Sequence, residues 1–380
     1  MKTKGDSANE TFRSTLMDGS TAKRSSAPQA KRGTLETTGL LRGLWYYAIP
    51  GHRLRRGQTV RRSLLGEPVL IGRDNELRVF AIRDICPHRG IPLSYGRYDG
   101  NEVECCYHGW RFDRTGVCTT IPSLVDGQEL DPSRIKVRSY PVRERQGNVW
   151  IFMGEEGVDE IDLPPVPEVP DFGDAAYNMV WTMRFACHMD HAVIGLMDPA
   201  HGPFVHRSFY WRSPQRMQEK AKRFAPSYLG WTMVRHPPSA NGRLYKLMPG
   251  KRETEIGFQL PGVRIEHLRA GNRLVCGLTA VTPVDDNETD IHHAVYWNMP
   301  WLTPFKPIGA LLGKAFIDQD RRAVENQQEG LKYDPALMLI DDSDALAKWY
   351  FRCKQEFGRA QAEGRPFKNP LEETTLRWRS

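Results

Sequence analysis

Hydrophobic and polar positions first settle into a pattern at Leu44-Trp45-Tyr46-Tyr47, and short runs of β type follow. Pro68-Val69-Leu70-Ile71-Gly72 and Leu77-Arg78-Val79-Phe80-Ala81-Ile82 read as strands, separated by the polar turn Arg73-Asp74-Asn75-Glu76. Another strand, Asn148-Val149-Trp150-Ile151-Phe152-Met153-Gly154, closes a small β domain, and the Pro-rich stretch from Leu163 to Pro170 predicts a linker. Beyond it the pattern predicts a mainly helical segment from Thr182 to Asp198. Strands are then expected at Glu255 to Leu260, Leu274 to Val281 and Ile291 to Trp297. The Asp285-Asp286-Asn287-Glu288 turn joins the last two as a hairpin. Two late helices follow, from Pro307 to Leu331 and from Asp344 to Ala362, the second capped by Asp342, Ser343 or Asp344. Residues 1–39 show no sustained hydrophobic period and read as a flexible basic tail.

A chain of 380 residues exceeds the usual size of one core, so two domains are expected, one over residues 40–160 and one over 161–380. With 40% hydrophobic and 26% charged residues the composition is globular. No stretch reaches the roughly 18–20 apolar residues of a membrane span, and the N-terminus lacks a secretory apolar core, so a cytoplasmic location is expected. The net charge of +7 does not indicate nucleic acid, because neither zinc-finger spacing nor aromatic-interleaved basic runs occur. Arg53, Arg55, Arg56, Arg61 and Arg62 instead suit docking of an acidic electron-transfer partner. The seven cysteines are odd in number, which argues against a disulfide scaffold and for metal binding in a reducing compartment.

Chemistry concentrates first in Cys86-Pro87-His88-Arg89-Gly90 and Cys105-Cys106-Tyr107-His108-Gly109-Trp110. Each arm offers one thiolate and one imidazole. A Rieske [2Fe–2S] cluster needs this split, with Cys86 and Cys105 on one iron and His88 and His108 on the other. A structural zinc site is the competing reading, although such sites usually keep Cys with Cys on one arm. Cys106, beside the ligand Cys105, is expected to be a small buried side chain.

A second group lies in Met197-Asp198-Pro199-Ala200-His201-Gly202-Pro203-Phe204-Val205-His206. On an unbroken helix two histidines five apart point about 140° away from each other. A break at Gly202-Pro203 would let His201 and His206 meet at one ion. A 2-His-1-carboxylate iron site also needs an acid, for which Asp320, Asp318 and Glu325 compete. Asp198, three residues before His201, can hold the second imidazole nitrogen. Cys187, His188, Asp190 and His191 are expected to have structural or surface roles. On the strands near the C-terminal side, His292, His293, Trp297 and Asn298 are candidate pocket residues, though alternation turns only about half of such positions inward.

Both cysteine–histidine arms resemble the cluster motif of Rieske non-heme iron oxygenases, the terminal components of ring-hydroxylating and demethylating systems. Respiratory Rieske proteins match less well, since they carry a further cysteine in each arm where this chain has Arg89, Gly90 and Ile91 after His88. The resemblance spans residues from about 44 to 360 and implies an α+β architecture. A Rieske β domain would precede a helix-grip-type catalytic domain built on an antiparallel sheet. It selects Asp320 as the carboxylate ligand beside His201 and His206. It also implies that Asp198 reaches the cluster ligand His108 of a neighbouring subunit, which requires a homotrimer. Many relatives have an Asn three or four residues before that Asp, where this chain has Ile194 and Gly195.

The implied activity is O2-dependent hydroxylation or oxidative demethylation of a mid-sized apolar or aromatic molecule, terpenoid and sterol-like ones included. Its cofactors would be a [2Fe–2S] cluster and a mononuclear Fe(II). The chain has no dinucleotide fingerprint, so NAD(P)H would act only indirectly, through a separate flavin reductase with or without a ferredoxin. Arene cis-dihydroxylation and a non-catalytic electron carrier or redox sensor are the alternatives.

Overall fold

A computed structural model of the chain describes residues 39–157, 161, 163–207, 215, 217–238 and 250–380. The basic tail expected over residues 1–39 lies, but for its last residue, outside the described residues.

The first half is all β: β1 (Trp45–Pro50), β2 (Gln58–Leu64), β3 (Glu67–Arg73), β4 (Val79–Arg83), β5 (Arg97–Tyr98), β6 (Glu102–Glu104), β7 (Arg111–Asp113), β8 (Cys118–Thr120), β9 (Val142–Arg145) and β10 (Asn148–Phe152). They form three small antiparallel sheets: β10 between β1 and β9, β3 between β2 and β4, and a meander from β5 to β8. All five residues of β10 and all six of β1 are buried. This explains why both read as continuous apolar runs rather than alternating ones.

The second half runs β11 (Met179–Phe185), α1 (Met189–Met197), α2 (Gly202–Val205), β12 (Glu219–Ser227), β13 (Gly230–His236), β14 (Arg252–Gln259), β15 (Val263–Ala270), β16 (Arg273–Pro283), β17 (Thr289–Trp297), α3 (Lys306–Leu331), α4 (Ala345–Ala362) and β18 (Thr374–Arg379). Its strands make one eight-stranded antiparallel sheet in the order β11, β17, β16, β15, β14, β13, β12, β18. The expected strands, the hairpin after Pro283 and both late helices are present. Asp344 stands at the N-cap of α4 but makes no capping bond, because its Oδ2 accepts from Ile340 N at 2.8 Å instead.

The expected helix from Thr182 to Asp198 is corrected. Residues to Phe185 form β11, on which Met179, Trp181 and Met183 alternate with Thr182 and Arg184, a period of two. The helix starts later, where His188 Nδ1 accepts from Asp190 N at 3.2 Å and caps α1. Strands β12, β13, β15 and β18 were not expected, since Glu219-Lys220-Ala221-Lys222-Arg223 and Arg264-Ile265-Glu266-His267 carry charges where a half-buried strand normally carries apolar groups.

One face of the large sheet packs on the first half of the chain. Trp45, Tyr47, Trp150 and Phe152 share a buried cluster with Val263, Leu278, Ala294 and Tyr296. The contact is also hydrogen-bonded: Asn148 Nδ2 donates to Tyr296 Oη at 2.6 Å, and Thr282 Oγ1 donates to Tyr47 O at 2.8 Å. The turn between β2 and β3 donates from Leu65 N and Gly66 N to Pro283 O and Val284 O. The Pro-rich linker is tied down, because Gln146 both donates to Val169 O and accepts from Val169 N. Helices α1 and α3 cover the other face.

Helix α1 is anchored to α4 by a buried ion pair. Asp190 accepts from Lys354 Nζ and from Tyr350 Oη, each at 2.6 Å, and both charged side chains are essentially inaccessible. Asp190 and His188 thus act structurally, as the sequence suggested. Lys354→Met strands a buried carboxylate and should cost about 3–5 kcal/mol. A thermal melt should show the midpoint falling by several degrees with cluster content unchanged; an unaltered midpoint would mean the pair is not needed.

Candidate functional site: two metal centres

The two cysteine–histidine loops are built alike. Cys86 N donates to Ile91 O and Gly90 N to Cys86 O; Cys105 N donates to Trp110 O and Gly109 N to Cys105 O, all within 2.8–3.0 Å. Each loop closes through a glycine with positive φ, 75° at Gly90 and 70° at Gly109, a conformation that side-chain-bearing residues seldom adopt. Cys86 and Cys105 are buried at the base of the loops, in the core of the β domain. His88 is exposed and His108 half-buried at the rim, their ring centroids 4.4 Å apart. Trp110 stacks on His88 at 4.6 Å and 5° and holds its ring plane. Cys106 is exposed, not buried as expected, since adjacent residues on the loop turn opposite ways and Cys105 takes the inward position.

This arrangement fits a two-iron cluster. The thiols pair on the buried side and the imidazoles on the outer side, as split ligation requires. A single zinc ion would need all four donors to converge. Among the described residues, three or more such donor atoms come within 4.8 Å of one another only at His201, His206 and Asp320. Burial pushes the Cys86 thiol up to about 11, with the neighbouring Cys105 thiol adding to the effect. A cation is therefore needed to hold the Cys86 sulfur as a thiolate.

At the second centre His201 Nε2 lies 3.2 Å from His206 Nε2, and Asp320 Oδ1 lies 3.5 Å from the first and 3.3 Å from the second. Donors about 2.1 Å from one ion and 90–110° apart are about 3.0–3.4 Å from each other, so the three fit one metal. The two histidines bracket the single turn α2, with His201 at its N-cap and His206 at its C-cap. His206 leaves helical geometry at φ −94°, ψ 51°, so the bend that brings the imidazoles together falls at the end of the turn rather than at Gly202-Pro203. Asp320 is buried on α3. Its rivals are engaged elsewhere: Asp318 with Arg321 and Arg322, Glu325 with Arg321 and Ala186 N.

The second imidazole nitrogens are also held. His201 Nδ1 lies 2.6 Å from the backbone carbonyl of Asp198, while the Asp198 carboxylate is 3.7 Å away. The expectation that the carboxylate holds His201 is thus corrected. Asp198 caps the C-terminus of α1, which frees its carbonyl for the imidazole, and its Oδ1 accepts instead from Ala200 N at 2.7 Å. Burial lowers the His201 pKa and raises that of Asp198. A neutral His201 keeps a lone pair on Nε2 for a metal.

Sequence reasoning missed Gln319 and Phe316. Gln319 Oε1 lies 3.0 Å from His206 Nδ1, and Phe316 stacks on the His206 ring at 3.7 Å and 17°. Their signal was their spacing from Asp320 on one helix, legible only once His206 is known to lie against it. Of the candidate pocket residues, His293 faces the helices beside Trp181, whereas His292 lies on the opposite face, stacked on Tyr47 at 4.3 Å. Trp297 shares the His293 face, and Asn298 is spent on Leu274 N and Asn272 O.

Gln319→Leu removes the acceptor that fixes the His206 tautomer. Metal affinity at this centre should fall about 10- to 100-fold while the cluster stays loaded. Iron titration of the cluster-loaded variant checks this, and unchanged affinity would count against the role given to Gln319.

Known proteins match this geometry. Residues 44–141 match the model of the Rieske [2Fe–2S] domain, and residues 185–353 that of the vanillate O-demethylase oxygenase C-terminal domain. The chain is 27% identical over 339 residues to the 4β-methylsterol monooxygenase of Methylococcus capsulatus, covering 84% of this chain and 89% of that one. It is 35% identical over 172 residues to the oxygenase component of dicamba O-demethylase from Stenotrophomonas maltophilia, covering 44% of this chain and 48% of that relative. The crystal structure of dicamba monooxygenase bound to dicamba superposes with a TM-score of 0.68 at 22% identity, over 86% of this chain and all of that one. None of the described helices is long and apolar enough to cross a membrane. With a cluster domain and an oxygenase domain in one chain, this protein belongs to the Rieske non-heme iron oxygenases, O2-dependent oxidoreductases that use a [2Fe–2S] cluster and a mononuclear iron.

Proposed function

We propose that this chain is a terminal oxygenase that hydroxylates or oxidatively demethylates a mid-sized apolar or aromatic substrate, with sterol-like molecules included. The observation that carries this reading is the His201–His206–Asp320 donor set, which a pure electron carrier would not need. Relatives named as a methylsterol monooxygenase and a dicamba O-demethylase support the reaction class. The non-catalytic carrier and the arene dihydroxylase are accordingly set aside.

In this reading Cys86, Cys105, His88 and His108 bind the cluster, and His201, His206 and Asp320 bind the iron. When bound, the cluster supplies single electrons and the iron activates O2 beside the substrate. The protein's own contribution is orientation and exclusion. The Asp198 carbonyl and Gln319 hold the two imidazoles with Nε2 forward, and Phe316 shields one face of His206 from water. Asp198, a third exposed, has one carboxylate oxygen bonded to Ala200 N. We assign it to an electron path from His108 of an adjacent copy, which makes a homotrimer the active form. Electrons would come from NAD(P)H through a separate flavin reductase, with or without a ferredoxin. A cytoplasmic location and a domain division near residue 160 complete the proposal.

The test is turnover with a surrogate reductase, NADH and oxygen-18 gas, on methylated aromatic and methylsterol substrates. One labelled oxygen in the product, or formaldehyde release from a methyl ether, is expected. Asp198→Asn should keep both metals and lose turnover by at least about 100-fold, on the scale of losing one positioned charge at a reacting centre. Near-normal turnover in that variant would remove Asp198 from the path.

A further inference from the structure

The helix-facing side of the large sheet carries a polar row where apolar packing is the norm. Trp181 on β11 stands opposite His293 on β17, His293 opposite Thr279 on β16, and Thr279 opposite Arg264 on β15. Since paired residues share a face, these four side chains line one face in register. The flanking rows are Met183, Ile291 and Val281 on one side, all apolar, and Met179, Val295, Gly277 and Glu266 on the other.

Two polar atoms in this row stand out. Trp181 Nε1 is buried and has no hydrogen-bond partner among the described residues. Its ring packs against His293, with centroids 4.8 Å apart. His293 Nδ1 is engaged by Thr279 Oγ1 at 2.8 Å, which leaves Nε2 as the imidazole's remaining polar atom. Burial and the nearby Arg264 guanidinium hold the His293 pKa down to about 4, so the ring is neutral near pH 7. Arg264 itself is paired with Glu266 at 2.8 Å, so the row presents no unpaired cation. Buried polar groups normally find partners, and a buried indole N–H left without one is costly unless something binds there.

The row also stands at a fixed distance from the iron donors. Trp181 packs on α3 at Gly313, where an added Cβ would lie 2.4 Å from the indole. Gly313 precedes Asp320 by seven residues, about two helical turns, so both lie on one face of α3 and about 10 Å apart along its axis.

We propose that Trp181 Nε1 and His293 Nε2 together bind a neutral oxygen atom of the substrate, placed about 10 Å from the carbon oxidised at the His201–His206–Asp320 centre. Thr279 is then a positioning residue: by donating its hydroxyl proton to His293 Nδ1, it sets the tautomer in which Nε2 carries hydrogen. The substrate is therefore amphiphilic, with a hydroxyl, carbonyl or ether oxygen at the end remote from the oxidised carbon. A carboxylate is disfavoured because the only guanidinium in the row is already neutralised. This deepens the proposed oxygenase function and rests on it.

A matched pair of probes tests the inference, 4-hydroxy-4′-methoxybiphenyl and 4-methoxybiphenyl, which differ by one oxygen at the end remote from the methyl ether. Calorimetric dissociation constants are measured on the holoenzyme, with iron and sulfide content determined on the same preparation. The hydroxylated probe should bind at least about tenfold tighter, the ratio expected for one well-placed hydrogen bond to a neutral group. His293→Phe should abolish that preference while leaving the constant for 4-methoxybiphenyl within about twofold, and His293→Gln should restore part of it. Thr279→Val should reduce the preference and raise KM for demethylation of the hydroxylated probe more than it lowers kcat. Equal binding of the two probes by the wild-type protein, binding of neither, or a preference that survives His293→Phe overturns the inference. Loss of iron from the wild-type preparation would instead count against the oxygenase reading, so the two failures are distinguishable.

Discussion

The position of α3 on the sheet is the constraint on which the catalytic half depends. Asp320 has to reach two imidazoles that sit on a different segment, to within 3.3–3.5 Å. A shift of one residue along the helix would move it by about 1.5 Å and rotate it by about 100°. The register is pinned by close approach: Gly313 admits the Trp181 ring, and Gly195 on α1 faces Val324 of α3, where a Cβ would lie 3.0 Å away. Small residues at these crossings let large ones on the facing element act as stops. Phe316 and Gln319 then use the same register to grip His206.

The two centres solve opposite problems. The cluster loops bury their thiols and leave their imidazoles near solvent, which suits a group that must exchange electrons with other proteins. The proposed iron donors are held inside, with His206 and Asp320 buried and His201 largely so, which suits chemistry that must exclude water. The large sheet serves both, since one face packs on the β domain through Tyr47, Trp150 and Tyr296 and the other faces the iron-bearing helix. The glycine at 195, where the resemblance leads to an expected Asn at that position or its neighbour, fits this geometry: Gly195 is at the α1–α3 crossing, where a side chain would meet Val324.

Much of this was legible in the sequence, for physical reasons. Metal donors are few in kind and their spacing is constrained by the ion, so Cys86, His88, Cys105, His108, His201 and His206 stand out as candidate donors, the resemblance adds Asp320, and the structure brings His201, His206 and Asp320 together. Buried strands such as β10 could be read because both faces are apolar. Strands β12 and β15 could not, because their charges sit where alternation expects apolar groups, and on β15 those charges face the helices; β18 does alternate, but with only Leu376 and Trp378 as apolar positions. The segment before α1 misled for a related reason. Met179 and Met183 carry no strong β signal, and only pairing with β17 reveals the period of two. The bond from the Asp198 carbonyl to His201 depends on where α1 ends, a backbone detail no spacing rule supplies.

The central claim is that one chain holds a split-ligand cluster and a separate His201–His206–Asp320 iron. The most direct test is iron and acid-labile sulfide per chain on anaerobically purified protein, comparing wild type with His206→Ala, alongside the low-temperature EPR spectrum after reduction. The account predicts about three irons and two sulfides in the wild type, and about two irons with unchanged sulfide and an unchanged Rieske signal in the variant. Zinc without sulfide in the wild type, or loss of the cluster signal together with the iron in His206→Ala, would contradict it.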